Sequence, residues 1–180
     1  NASMYPGFSQ AATFPNVAAV ASLSESSGVL VMKAVLSGLE PSVTGGIHIH
    51  SGFQCSSDGA VTGGHYYAGL PGGDPWTNAN GMTYTTDANG VASVELSLPS
   101  FSLEGTRPVA GRTLVVHLSG GARVLCGIID PSWSEVASIG GYVGSSGSVG
   151  GLMLVHPTSY GIYMSGLLSG LESSVTGGYH

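Results

Sequence analysis

Apolar positions recur with the two-residue period of β-strands along much of the chain. Residues 17–24 (VAAVASLS) and 29–36 (VLVMKAVL) are apolar and β-branched, and the turn-forming Ser-Glu-Ser-Ser-Gly lies between them, so the two runs predict a hairpin. Residues 91–98 (VASVELSL) alternate directly after Asp87-Ala88-Asn89-Gly90, a strong turn sequence. Residues 113–118 (TLVVHL) and 124–129 (VLCGII) predict two further strands, and no stretch keeps a capped helical period over ten residues. Several short strands separated by Gly, Pro and Asn turns place the chain in the all-β class, as a sandwich or barrel.

The same pattern starts a second time. Residues 37–48 read SGLEPSVTGGIH and residues 169–180 read SGLESSVTGGYH, with ten of twelve positions identical at an offset of 132. Upstream, VLVMKAVLSGL (29–39) aligns with GIYMSGLLSGL (161–171). The chain therefore divides into a complete unit, 1–132, and the first strands of a second, 133–180. Strands this few cannot enclose a core. The piece is expected to pack on the first unit or on a neighbouring chain, since its edges and its apolar Met153, Leu154, Val155, Ile162, Met164, Leu167 and Leu168 need cover.

Composition narrows the setting. Charged residues are 8% of the chain, against roughly 25% in ordinary soluble domains, and its 27 serines and 30 glycines leave few charges to hold molecules apart. This suits a secreted or self-associating protein. The net charge is −6 with four basic residues, Lys33, Arg107, Arg112 and Arg123, so no basic stripe exists to bind nucleic acid. No apolar run reaches the roughly 18 residues of a membrane span. No leader peptide is visible, which reads as a mature chain or a fragment, and Asn1 opens a glycosylation sequon, Asn1-Ala2-Ser3. Cys55 and Cys126 are either one structural disulfide or two buried thiols.

Candidate chemistry centres on histidine. In Ile47-His48-Ile49-His50 the two imidazoles share one strand face, a natural edge for a transition metal, although H-x-H alone also describes two surface histidines. His65 lies in a Gly-rich loop (VTGGHYY, 61–67), and His117 comes late in a strand (GRTLVVH, 111–117).

The ordered pieces GIHIH, a following Cys, GGHYY, TTDANGVASVEL, GRTLVVHL and ARVLCGII resemble the copper/zinc superoxide dismutase family over roughly residues 17–130. The resemblance implies a Greek-key β-sandwich, copper ligation by His48, His50, His65 and His117, a substrate-guiding Arg123, a Cys55–Cys126 disulfide, and superoxide as substrate. The alternative for Arg123 is a surface arginine of the disulfide region. Two departures stand out. Residues 66–86 contain no histidine, and Asn80 stands where the family's zinc aspartate aligns, so a zinc site is not expected. Only Leu118 to Ala122 separate His117 from Arg123, so the charged loop of the family is missing. Both departures resemble the copper-only branch, especially its repeat proteins. Without zinc, His65 is expected to loosen from reduced copper and take up a proton, with Asp74 a candidate to orient its other nitrogen. The expected function is an extracellular copper-only superoxide dismutase. The alternative is a structural repeat protein that assembles by strand donation, with copper vestigial.

The remaining singled-out residues carry blander expectations. His156 reads as a surface or turn residue, and His180 matches His48 but lacks a partner histidine within the chain. Trp76 and Trp133 read as packing over sandwich ends, and Tyr66 and Tyr67 as packing beside His65 or filling the core edge.

Overall fold

The computed structural model describes residues 2–56, 59–67, 69–130, 135–139, 150–158 and 161–171. Asn1, Trp133 and His180 lie outside the described residues, and of His156 only the backbone is described.

The chain is all-β. Eight strands come first along the chain: β1 (Ser3–Met4), β2 (Ala18–Ser26), β3 (Val29–Ser37), β4 (Thr44–His50), β5 (Thr83–Thr85), β6 (Ala92–Leu98), β7 (Thr113–His117) and β8 (Arg123–Ile128). They make two antiparallel sheets, β2-β3-β6 and β1-β8-β7-β4-β5. Three more strands, β9 (Glu135–Ile139), β10 (Gly150–Thr158) and β11 (Gly161–Ser169), form a separate antiparallel sheet. Helical structure among the described residues is one turn, α1 (Gly59–Thr62), and a 3-10 turn at Asn78–Asn80, so no helix there is long and apolar enough to cross a membrane.

The turns follow from their residues. Between β2 and β3, Ser27 and Gly28 both adopt positive φ (52° and 76°), the two-residue turn whose twist suits a hairpin. Before β6, the Asp87 carboxylate accepts the N–H groups of Val91 and Asn89, which hold its pKa below the usual carboxylate range.

The core lies between the sheets β2-β3-β6 and β1-β8-β7-β4-β5. Leu30, Met32, Ala34 and Leu36 of β3 meet Ile47 and Ile49 of β4, Leu114 and Val116 of β7, and Val124 and Leu125 of β8, all buried. Along the edge of β2 this interior opens into a cavity of about 380 Å³ lined by Ala21, Leu23, Leu36, Ile47, Leu114 and Val116 among others. None of the four site histidines lines it.

Candidate metal centre

Period-two alternation in β4 sends Ile47 and Ile49 into the core and His48 and His50 to the opposite face of the sheet. β7 runs beside β4 with His48 opposite Val115 and Gly46 opposite His117, which brings His117 onto the same face, next to a register shift at Val116/His117. The connection from β4 to β5 folds back over this face, and a bridge between His50 and His65 sets the fourth ring against the other three. His48, His50 and His117 are buried, whereas the His65 side chain keeps 26% of its surface exposed, so it marks the open side of the cluster.

The ring centroids of His48 lie 4.5 Å from His65 and 4.9 Å from His117, and those of His50 lie 5.2 Å and 5.3 Å from the same two rings. One ring nitrogen from each of the four histidines falls within 4.8 Å of the others. Among the described residues this is the one such group of histidine, cysteine and carboxylate side chains.

Three rings are aimed by an acceptor behind them. His50 Nδ1 donates to Gly63 O at 3.0 Å, His117 Nδ1 to Gly121 O at 3.0 Å, and His65 Nδ1 to the Asp74 carboxylate at 2.7 Å. Each of these fixes the tautomer and leaves Nε2 as a lone pair pointing into the cluster. The five residues between His117 and Arg123 form a tight turn, closed by Leu118 N–H to Ala122 O, and this short turn itself supplies the Gly121 acceptor.

Two glycines make the arrangement possible. A Cβ on Gly46 would come within 2.7 Å of His48 Nε2, so only glycine leaves room for that ring. Gly63 has φ +73°, and a Cβ there would collide with the Ser51 hydroxyl. The Gly63 carbonyl is shared, since it also accepts from Arg123 Nη2 at 2.7 Å. Arg123 is opposite His117 across the strand pair, donates from Nη1 to the Tyr5 hydroxyl at 3.0 Å, and that hydroxyl donates to Thr62 Oγ1. Cys55 and Cys126 are joined in a disulfide that ties the same loop to β8.

A copper/zinc superoxide dismutase (SODC) family model matches residues 17–129, which include all four histidines and Arg123. The chain belongs to the copper/zinc superoxide dismutase family. No curated protein matches the sequence.

The histidine cluster fits the metal of that family on grounds of its own. His50 Nε2 and His117 Nε2 face each other at 3.1 Å, and both Nδ1 positions carry their hydrogens outward. Two lone pairs at that distance repel unless a proton or a metal cation lies between them. Burial disfavours the proton, lowering His50 from 6.5 to about 4 against the raising effect of Gly63 O, and lowering His117 as well. His48 is pushed down to about 3, first by burial and then by the charges of His117, His65 and His50. Both of its ring nitrogens are buried without a hydrogen-bond partner; the Met82 carbonyl raises its pKa slightly but stands outside hydrogen-bonding geometry. A buried imidazole with neither nitrogen satisfied is costly as a packing residue and suited to be a ligand. Nitrogens about 2 Å from one ion lie within about 4 Å of each other, so closure around a metal needs movements under about 1 Å. Four imidazoles suit copper in both oxidation states.

These shifts set a pH dependence for the metal-free protein. His48, His50 and His117 are neutral when folded but titrate near 6.5 when unfolded, so the unfolded chain binds more protons below that pH. Their contribution to stability is fully present above about pH 6.5 and falls as pH drops toward about 3. Thermal melts of apoprotein from pH 7.5 to 3.5 should show this decline, and replacing His48 by leucine should flatten it; a pH-independent midpoint would refute it.

The structure also places the remaining singled-out residues. Trp76 is a packing residue, as expected, and it packs 5.2 Å from the Phe101 ring. It is 2% exposed, 6.2 Å from the His48 ring, and its indole N–H donates to Tyr66 O at 2.7 Å. Its backbone N–H donates to Asp74 Oδ1 at 2.9 Å, so it holds the carboxylate that faces His65. Tyr66 is buried in the core and Tyr67 exposed. Asn80 is exposed and donates to Pro75 O. Arg112, which the sequence marked only as one of four basic residues, lies 3.5 Å over the Tyr66 ring and 4.9 Å from that of Phe53, and donates to Ser51 O at 2.6 Å. It clamps the loop on both sides of the disulfide.

Proposed function

We propose that this chain is a secreted, copper-only superoxide dismutase, converting two superoxide anions and two protons to dioxygen and hydrogen peroxide. The observation that carries the reading is the outward pinning of His50, His65 and His117 through Nδ1, with three Nε2 lone pairs and the orphaned His48 ring converging on one point. Copper held by these four residues supplies one-electron oxidation and reduction of superoxide.

The protein's own groups supply the rest. His65 is the exposed ring, and its Nδ1 is committed to Asp74, whose charge stabilises the imidazolium when Nε2 takes up a proton. That ring is therefore placed to carry a proton between solvent and the reacting oxygen. The same hydrogen bond supports the copper-only reading, because a bridging imidazole would need Nδ1 for a second metal. Arg123 is the cation whose charge bears on His50 and His117. Because the net charge is −6, attraction of an anion has to be local. The disulfide and the low charge support an extracellular setting. Residues 1–132 would be a complete Greek-key repeat and 133–180 the start of a second.

Copper loading followed by metal analysis and a dismutation assay tests the proposal. Bound copper without turnover would sink it, and a gain in rate on adding zinc would remove its copper-only part. Replacing Arg123 by Glu should slow the reaction about tenfold at low ionic strength with copper still bound, and salt should narrow the gap. Equal rates would end the guiding role. Replacing Asp74 by Asn should cost about 10–100-fold in turnover or copper affinity, because the acceptor that aims His65 loses its charge. Unchanged turnover and copper affinity would show that Asp74 only packs.

A further inference from the structure

β10 and β11 are β2 and β3 moved by 132 residues. Gly150–Thr158 corresponds to Ala18–Ser26, and Gly161–Ser169 to Val29–Ser37. The register corresponds too, since Ala18 pairs with Ser37 and Gly150 with Ser169, while Ser26 pairs with Val29 and Thr158 with Gly161.

Each hairpin has two faces. In the first, Leu30, Met32, Ala34 and Leu36 face the main core, and the cross-strand partners Val20 and Val35 point away from it. Val20 and Val35 are nevertheless only 4% exposed each, because Leu152 and Leu167 cover them in a second apolar cluster. Leu152 and Leu167 are themselves cross-strand partners and stand at the positions of Val20 and Val35 plus 132. The two hairpins thus meet back to back through the same pair of positions.

The other face of the second hairpin is covered at Met153, which is 9% exposed, and exposed further along at Met164. Met164 is 44% exposed where its counterpart Met32 is fully buried, and Leu171 is 56% exposed where Leu39 is 4% exposed. The hairpin has docked by its outer side and left Met164 exposed on the side that makes a sandwich core in the first unit.

We propose that the outer face of the β2–β3 hairpin is a docking surface for the equivalent face of the next repeat, so that repeats join in back-to-back pairs through a self-matching patch. The proposal rests on reading 133–180 as the start of a second repeat. A contact between like patches is closed: once Val20 and Val35 meet Leu152 and Leu167, neither hairpin has a second copy of that patch to offer. Through this surface, repeats associate by twos and do not propagate.

Hydrogen exchange of the full chain tests the docking. In the unmodified protein, β10 and β11 amides should be protected. Val35→Asp and Leu152→Asp should each speed their exchange about tenfold or more, while β3, β6 and copper binding stay unchanged. Unprotected β10–β11 in the unmodified chain, or protection indifferent to both substitutions, would overturn the docking while leaving the sequence repeat and the copper centre untouched. The self-matching character has its own test. Leu152→Asp/Leu167→Asp releases the second hairpin and bares Val20 and Val35, so two copies should pair through them and sediment as a dimer, and adding Val35→Asp should restore the monomer. A released hairpin on a strictly monomeric chain would overturn the self-matching patch.

Discussion

Replacing His48 by leucine will eliminate copper binding and turnover while leaving the metal-free protein at least as stable as before. Both ring nitrogens of His48 are buried and unpaired, and burial with three neighbouring imidazoles drives its pKa to about 3. An unsatisfied buried polar group costs about 1–3 kcal/mol. A leucine of similar volume removes that cost and still fills the space over Gly46. The copper centre, in contrast, loses one of four ligands. Loss of an outer partner of a ligand typically costs 10–100-fold, so loss of the ligand itself should cost more than about 100-fold in turnover. Copper stoichiometry, dismutation rate and the apoprotein melting temperature on one preparation check all three statements. A lowered apoprotein melting temperature would show that His48 contributes to packing, and retained copper would show that it is not a ligand.

Removal of the disulfide by Cys55→Ser with Cys126→Ser should have the largest effect on stability. The bond closes a separation of 71 residues, for which loop-closure entropy gives about 4 kcal/mol. Against a total of about 5–15 kcal/mol for a domain, that is a major share, and the melting temperature should fall by about 10–15 °C. The site should loosen as well. The tethered loop carries Gly63, whose carbonyl orients both His50 and Arg123, and Thr62, which accepts from Tyr5. Copper affinity measured against a chelator should fall about tenfold or more, since an acceptor behind a ligand is lost. A variant that melts with the parent and keeps its copper would show that Arg112 and the α1 turn hold the loop without the bond.

The local pattern of the chain carried much of the architecture. Strands 17–24, 29–36, 91–98, 113–118 and 124–129 reappear within two residues of β2, β3, β6, β7 and β8, because period-two burial and Gly- or Asn-containing turns are properties of neighbouring residues. β5 and β1 were not legible. Each is two or three residues long and exists only because β4 or β8 offers an open edge. Within the site, the H-x-H spacing put His48 and His50 on one strand face, the family resemblance joined them with His65 and His117 as one ligand set, and Asp74 was a candidate acceptor for His65.

What only the tertiary structure decided is how those groups act together. Which nitrogen of each ring points inward depends on carbonyls up to 13 residues away in sequence, and on Gly63 serving two donors from different strands. The burial of Trp76 against His48, the clamp of Arg112 on Tyr66, and the back-to-back seating of Leu152 and Leu167 on Val20 and Val35 likewise join distant residues. Alternation along a strand states which side chains share a face. It does not state what will cover that face, because the covering surface comes from another part of the chain and is selected by burial of the whole.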